Sequence, residues 1–361
     1  MQLSRIENLS RIRQKSSLAN FGMAYDGKEF FFFSYGTYEW VCYLDASFEG
    51  DVDKFKGTIL FDFDSLKKIT EIFVSGEVNV VRDGNQLIFK QEECTLYISI
   101  KETKAEIMFP MNLTKSKFKE MGDIGTDILE LTKMTSMASQ ILPESMDNFV
   151  ILTPDSAIKA TMHYIAIRRG LEWLNFPKDA SVYIDAAVLR LFNTCKLYFN
   201  EESYKIADDS VFVVIPKPGI RSSSDLEKPF AAFKSEPFKE HIQFKTSSLI
   251  QLINLLNKVY EQSNSTILTF IAKDEGFLIV ANDAMTRLEY FIKCEHKLLE
   301  GFQFIVNGKI ISNLKYLDCE TFYTRFTFKD NTPLMAVFYS ELEKDYQDSD
   351  KVFLATLVHK V

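Results

Sequence analysis

Cys294 and His296 are separated by one residue, and they come nearer to a metal-binding pair than any other residues in this sequence of 361. A tetrahedral zinc site needs further nitrogen or sulfur ligands. The other histidines, His163, His241 and His359, lie far along the chain, as do Cys42, Cys94, Cys195 and Cys319. Carboxylates are adjacent at Glu92-Glu93, Glu201-Glu202 and Asp208-Asp209. Paired carboxylates can divide acid and base roles, but these pairs fall at turns or strand ends, where charge is simply solvated. No complete GxxxxGK[ST], GxGxxG, HExxH or GxSxG occurs, so the usual phosphate loop, dinucleotide turn, zinc helix and serine elbow are missing. Only a metal-dependent hydrolase assembled from scattered aspartates stays open. The expectation is a protein that is not an enzyme and needs no metal or cofactor.

Composition narrows the class. Hydrophobic residues are 46% and charged residues 25% of the chain, ordinary values for a globular protein. At about 150 residues per domain the length suggests two or three domains. Phe occurs 32 times and Tyr 15 times, and aromatic side chains suit pleated, half-buried surfaces, so much β-structure is expected. The formal net charge is −8. A protein that wrapped nucleic acid with its whole surface would be basic, so any such contact must be local. Five scattered cysteines without a CxxC pair fit free, mostly buried thiols in a reducing, cytoplasmic setting. The start, MQLSRIENLSRIRQKSS, has no apolar signal core. No apolar run approaches the ~18 residues of a membrane span, and Phe30 to Phe33 reads as a buried strand.

The chain repeats. ILFDFDSLKKITEIF, SVYIDAAVLRLFN and FQFIVNGKIISNLKYL each join an apolar strand, a polar cap and a short amphipathic helix, with Asp64, Asp185 and Asn307 as expected caps. The intervals between those caps are 121 and 122 residues. After each helix comes an alternating two-strand unit, with turns at Asp83-Gly84, Asn200 to Ser203 and Asp330 to Pro333. Before each comes a helical pattern, from Ser4, Thr126 and Ser247, and then a hairpin around Asp26-Gly27, Pro154-Asp155 or Asp274 to Gly276. Each repeat is thus helix, strands, helix, strands, and three of them account for the whole chain. The polar stretch from Pro110 to Gly125 and the proline- and serine-rich stretch from Pro216 to Glu240 read as boundaries. The expected domains are 1–120, 121–220, and 221–361 including a linker.

Three such repeats resemble the bacterial β sliding clamp family, the DNA polymerase III beta subunits. FQFIVNGKIISNLKYLDCETFYTRFTF in the third repeat is the closest in kind. The resemblance implies an α+β fold of three clamp domains, each with two helices packed on antiparallel sheets. It implies a head-to-tail homodimer closed into a ring, with helices lining the hole and edge strands of the first and third domains pairing between subunits. Closure would hide those edges. The implied function is a processivity factor that encircles double-stranded DNA without sequence preference and tethers a DNA polymerase, after a clamp loader has opened the ring. No membrane contact is implied.

Charge tests that implication. Helices at 4–16, 64–73, 126–141, 185–193, 247–261 and 308–317 would carry Arg5, Arg11, Arg13, Lys15, Lys67, Lys68, Lys133, Arg190, Lys258, Lys309 and Lys315 against seven acids, a net +4 where the remainder is −12. That sign suits phosphate contacts that position without reading bases, although lysine and arginine favour exposed helix faces in any case. The family's partner-peptide pocket is lined by an Ala-Thr-Asp-Gly-His-Arg-Leu-Ala motif and the C-terminal tail. Here ATMHYIA, Ala160 to Ala166, matches at Ala160, Thr161, His163 and Ala166, but lacks Asp-Gly and carries Tyr164 in place of Arg. The tail is LVHKV rather than Met-Pro-Met-Arg-Leu. The expected pocket is Thr161, Met162, His163, Tyr164 and Ile165 with Leu357, Val358, His359, Lys360 and Val361, which could equally be ordinary core. These departures suggest a divergent clamp, such as a bacteriophage would encode. The competing class is a β-rich repeat structural protein, for example a virion component, that never encircles DNA.

Overall fold

The structure is a computed structural model, described here for residues 20–25, 29–35, 39–44, 57–100, 117–134, 148–161, 163–178, 180–217, 242–260, 267–282, 286–296, 298, 300–329, 332–341 and 349–357. The described residues form two compact units, within Met1–Gly125, Trp173–Asn175 and Ala187–Gly219 and within Thr126–Glu172, Phe176–Ala186 and Ile220–Val361.

Strands β1 (Asn20–Tyr25), β2 (Phe30–Tyr35), β3 (Glu39–Leu44) and β4 (Gly57–Phe61) lead into helix α1 (Phe63–Ile72). The three-stranded meander β5 (Asn79–Asp83), β6 (Gln86–Gln91) and β7 (Cys94–Ser99) follows. After β8 (Lys119–Ile124) and helix α2 (Thr126–Leu131) come β9 (Phe149–Leu152), β10 (Ser156–Ala160), β11 (Tyr164–Arg169) and β12 (Val182–Asp185). The single turn α3 (Ala186–Leu189) precedes β13 (Cys195–Phe199), β14 (Ser203–Ala207) and β15 (Val211–Pro216). The last third repeats the series with β16 (Ile242–Lys245), α4 (Thr246–Val259), β17 (Ile267–Lys273), β18 (Gly276–Asn282), β19 (Arg287–Lys293) and β20 (Gln303–Asn307). It ends with α5 (Gly308–Ile311), a 3-10 turn (Ser312–Leu317), β21 (Thr321–Lys329), β22 (Thr332–Tyr339) and β23 (Lys351–Thr356).

The first unit holds an eight-stranded sheet ordered β4-β1-β2-β3-β15-β14-β13-β8 and the sheet β5-β6-β7. The second holds β12-β9-β10-β11-β23-β22-β21-β16 and β19-β18-β17-β20. One ladder therefore recurs three times, as β4-β1-β2-β3, β12-β9-β10-β11 and β20-β17-β18-β19. In the two long sheets its last strand is joined to a meander, β3 to β15 and β11 to β23.

The abundant phenylalanines fill the interior. Phe270 stacks on Phe304 at 4.5 Å, Phe244 lies 5.6 Å from Phe277, and Phe304 lies 4.9 Å from Phe326. This cluster locks β16 and β21 of one sheet to β17, β18 and β20 of the other. In the first unit Phe31, Phe33, Val41, Leu60, Phe212 and Val214 pack together across the β3–β15 joint. Gly22 and Gly27-Lys28 have part of the spacing of a phosphate loop, but Gly22 is a strand residue. A Cβ there would lie 2.8 Å from the Ile59 carbonyl oxygen and against the Phe33 ring, so close packing requires the glycine.

Several expectations are corrected. The cap of α1 is Asp62, whose carboxylate accepts from the Ser65 N–H at 2.7 Å; Asp64 sits inside the first turn. Asn307 does cap its helix, accepting from Lys309 N–H at 2.8 Å. The second-repeat helix is only Ala186–Leu189, because Asp185 still belongs to β12. In the third repeat the helix tightens into a 3-10 turn from Ser312. The helix from Thr126 ends at Leu131, and 135–141 lies outside the described residues, as does the expected helix 4–16. Each two-strand unit is a three-strand meander. The missed turns are Glu92-Glu93 and Asp209-Ser210, the latter held by Asp208, whose carboxylate accepts from Ser210 and Val211 N–H groups. Cys294 lies one residue beyond β19, and Cys94 is exposed rather than buried.

Candidate functional site

Of the eleven basic residues expected on helix faces, Arg5, Arg11, Arg13 and Lys15 lie outside the described residues. Lys67 and Lys68 are exposed on α1, a helix whose Leu66, Ile69 and Phe73 are buried, so its apolar stripe turns the lysines outward. Lys67 makes an i,i+4 ion pair with Glu71 at 3.5 Å. Lys258 is exposed on α4, Lys315 is exposed and lies 4.8 Å above the Tyr316 ring, and Lys309 is half-buried on α5. Lys133 and Arg190 are exposed just beyond α2 and α3; Lys133 pairs with Glu130.

The stretch from Thr161 to Ile165 lies against β23, the strand that leads into the tail. β11 pairs with β23, setting Tyr164 opposite Ala355 and Ile165 opposite Leu354. The Thr356 N–H and hydroxyl both donate to the His163 carbonyl, at 2.9 and 3.0 Å. Thr161 accepts from the N–H groups of His163 and Tyr164 at 3.1 Å, which fixes the turn before β11. Tyr164, where the family has Arg, is buried and stacks on Phe353 at 5.2 Å. Ile165 and Leu357 are also buried, while Thr161 and His163 are half-buried. Met162 and Val358, His359, Lys360 and Val361 lie outside the described residues.

Sequence did not show which strands form the edges: among the described residues, β7 and β19 are end strands of their sheets. The Ile100 N–H donates to Asn85, so the even-numbered residues of β7 bond to β6 and Thr95 and Tyr97 turn their backbone groups outward. The Cys294 N–H donates to Glu275, which by the same alternation turns Arg287, Glu289 and Phe291 outward from β19. Tyr97 is 60% exposed and Phe291 48%. The only signal for β7 was the alternation after Glu92-Glu93, easily read as the end of a hairpin. By contrast, the outer edge of β8 is closed: Leu174 and Asn175 N–H groups donate to Met121.

Among the described residues no group of His, Cys, Asp and Glu could hold a metal ion, and no helix is long and apolar enough to cross a membrane. An open hollow of about 730 Å³ lies beside β19, with Lys245, Tyr290, Lys293, Cys294 and His296 among its lining. Burial pushes the Cys294 thiol up to about 12, so it is neutral and a poor ligand at ordinary pH. His296 Nε2 lies 2.7 Å from the Lys273 carbonyl, a structural tie between strands.

No family model matches the sequence, and no curated protein matches it either. Solved structures do. The DNA polymerase sliding clamp from Bacillus subtilis matches with a TM-score of 0.72 at 14% identity, over 99% of this chain and 97% of that one. The beta sliding clamp of Caulobacter crescentus gives 0.73 at 9% identity, over 99% and 96%. DNA polymerase III beta subunit from Thermotoga maritima gives 0.70 at 13%, over 100% and 97%. Along its whole length this chain has the α+β fold of the bacterial DNA polymerase III beta sliding clamps, in a sequence that has diverged far from theirs.

Proposed function

We propose that two copies of this chain join head to tail into a ring that encircles duplex DNA and tethers a DNA polymerase, acting by topology and without catalysis. The observation that carries this is the thrice-repeated ladder. Among the described residues its joining position is filled at β3–β15 and β11–β23, and no strand takes it at β19 and β7. A sheet edge that is long and exposed invites pairing, and a second copy offers the complementary edge twice, which closes the assembly. The sliding-clamp fold over the full length supports the same reading.

In this reading the exposed Lys67, Lys68, Lys258 and Lys315 face phosphates, joined by Lys133, Arg190, Lys309 and the N-terminal Arg5, Arg11, Arg13 and Lys15. Such contacts are individually weak and blind to sequence, so retention comes from enclosure and a loader must open the ring. The Thr161–Ile165 turn with the tail Leu357–Val361 receives partner peptides. Tyr164 stacked on Phe353 fills space that a shorter or more polar side chain would leave, so the preferred peptide differs from that of the family. The three repeats act as three domains, 1–120, 121–220 and 221–361.

The test is retention. Protein loaded on nicked circular DNA should stay bound through high salt and leave when the circle is linearised. Equal loss from circular and linear DNA would sink the ring, and assembly without any DNA effect would favour a structural repeat protein.

A further inference from the structure

A hollow of about 510 Å³ opens in the first unit where β8 begins, β13 turns into β14 and β15 ends. Three lysines line it, Lys117, Lys119 and Lys217. The sequence from 115 to 119 is KSKFK, so lysines alternate with other residues on the way into β8. Phe118 packs against the cluster of Phe212 and Val214. Strand alternation then turns Lys119 to the opposite face, where it stands across from Phe199 on β13. Phe199 in turn stands across from Tyr204 on β14.

Lys217 enters from the other side of the turn. Its N–H donates to the Glu202 carbonyl at 2.9 Å, and its ammonium lies 5.9 Å from the Phe199 ring centre and 5.3 Å from that of Tyr204. The turn between β13 and β14 is held by Asn200. Its side-chain oxygen accepts from the Glu202 N–H, the Ser203 N–H and the Ser203 hydroxyl, at 3.0, 2.7 and 3.0 Å. A fixed turn is thus flanked by Lys117 and Lys119 on the β8 side and by Lys217 on the β15 side.

The charge at this place is uncompensated. Among the described residues none of the three lysines forms an ion pair, whereas on the helices Lys67 pairs with Glu71 and Lys133 with Glu130. Like charges around one hollow repel, and an anion between them relieves that repulsion. Glu201 and Glu202 also line the hollow, exposed on the turn, which leaves the lining at 3 − 2 = +1. Phe199 is half-buried and lines the same hollow, so an aromatic face stands among the ammonium groups. The hollow is not on a helix face. Lys119 is at the opposite end of β8 from Ile124, and Phe199 is at the opposite end of β13 from α3.

We propose that this hollow binds single-stranded nucleic acid without sequence preference, its phosphates on Lys117, Lys119 and Lys217 and one unpaired base stacked on Phe199. Lysines are point charges that hold phosphates without the forked donors that read base edges. An aromatic ring beside such charges is the platform on which any unpaired base stacks. Duplex DNA keeps its bases stacked on one another and cannot offer one to a recessed ring. An acidic peptide would satisfy the ammonium groups but leave the ring unused. The proposal goes beyond encirclement of duplex DNA and does not depend on it.

The probe is a short fluorescein-labelled oligo(dT), titrated with the full-length protein and followed by anisotropy over a range of salt. Lys117→Ala, Lys119→Ala and Lys217→Ala together should weaken binding by about tenfold or more and lower the log–log salt slope by about 2, the share of three phosphate contacts to a single strand. Phe199→Leu should weaken binding by about tenfold while Phe199→Tyr retains it, because stacking needs the ring and not only apolar bulk. Thermal melts show that each variant folds. Photocrosslinking with an iodouracil-substituted oligonucleotide should mark the tryptic peptide Leu197–Lys205. Wild-type affinity in the triple variant, or crosslinks confined to other peptides, would overturn the proposal. Stronger displacement of the oligonucleotide by polyglutamate than by unlabelled oligo(dT) would assign the hollow to acidic proteins and overturn it too. The triple variant should stay on nicked circular DNA as the wild type does; loss there would move these lysines to the duplex contact, against the proposal. A wild type that is never retained on circles removes the ring reading, while the oligonucleotide titration still decides this one.

Discussion

Asp62 shows how one side chain sets where a helix begins. Its carboxylate satisfies the Ser65 N–H that the first turn of α1 leaves without an intrahelical partner. Asp62→Ala should lower thermal-unfolding stability by about 1 kcal/mol, while Asp64→Ala should change it little. Gly276 opens β18 where the chain passes close to β19, and a Cβ there would collide with the Ile292 carbonyl oxygen. Gly276→Ala should destabilise the protein by roughly 3 kcal/mol in chemical denaturation, and should loosen the very strand whose edge is open. The cysteines separate by exposure and burial. Cys294 ionises only near pH 12, against an ordinary 9.0, because burial penalises the thiolate. Its folded value is raised, so its contribution to stability is complete below pH 9.0 and is lost as pH climbs towards 12. Alkylation at pH 8 should mark Cys94 first; rapid labelling of Cys294 in the folded protein would contradict its burial.

At the scale of elements, the helix faces and the β11–β23 joint bear the proposed contacts. Lys67→Glu with Lys68→Glu should leave the fold intact, since both side chains are exposed, and should reduce loading on DNA. Unchanged polymerase processivity would take α1 away from the DNA. Removal of residues 358–361 leaves β23 and its ladder whole, because the strand ends at Thr356. That truncation should abolish partner-peptide binding without changing oligomeric state, measured by fluorescence titration and sedimentation. Much at this scale was legible in sequence. The 122-residue step from Asp185 to Asn307, the long amphipathic α4 and the Pro154-Asp155 hairpin were all visible. The third strand of each meander was not, since Glu92-Glu93 and Asp209-Ser210 lack the glycine that usually marks a tight turn; at the second, an Asx interaction does that work instead.

For the whole molecule, the prediction is topological. Bound protein should survive salt on a closed circle and be lost after linearisation, because individual phosphate contacts are screened while enclosure is not. The cluster of Phe244, Phe270, Phe277, Phe304 and Phe326 ties two sheets of the second unit together, so Phe270→Ala should cost about 4 kcal/mol. It should also weaken dimerisation if the β17–β19 sheet carries the seam.

Local grammar was legible in the amino-acid order: which segments alternate as strands, which carry a helical stripe, and the period at which both recur. Those follow from side-chain spacing and capping chemistry, which act over a few residues. Which strands lie side by side was set by the folded arrangement. Val41 meets Phe212 and Ile165 meets Leu354 across well over a hundred positions of chain. Such pairings depend on which buried faces fit together and which edges remain, and no local pattern in β7 or β19 distinguishes an end strand from an inner one. Which strands form the open edges therefore became visible only once the ladders were in place.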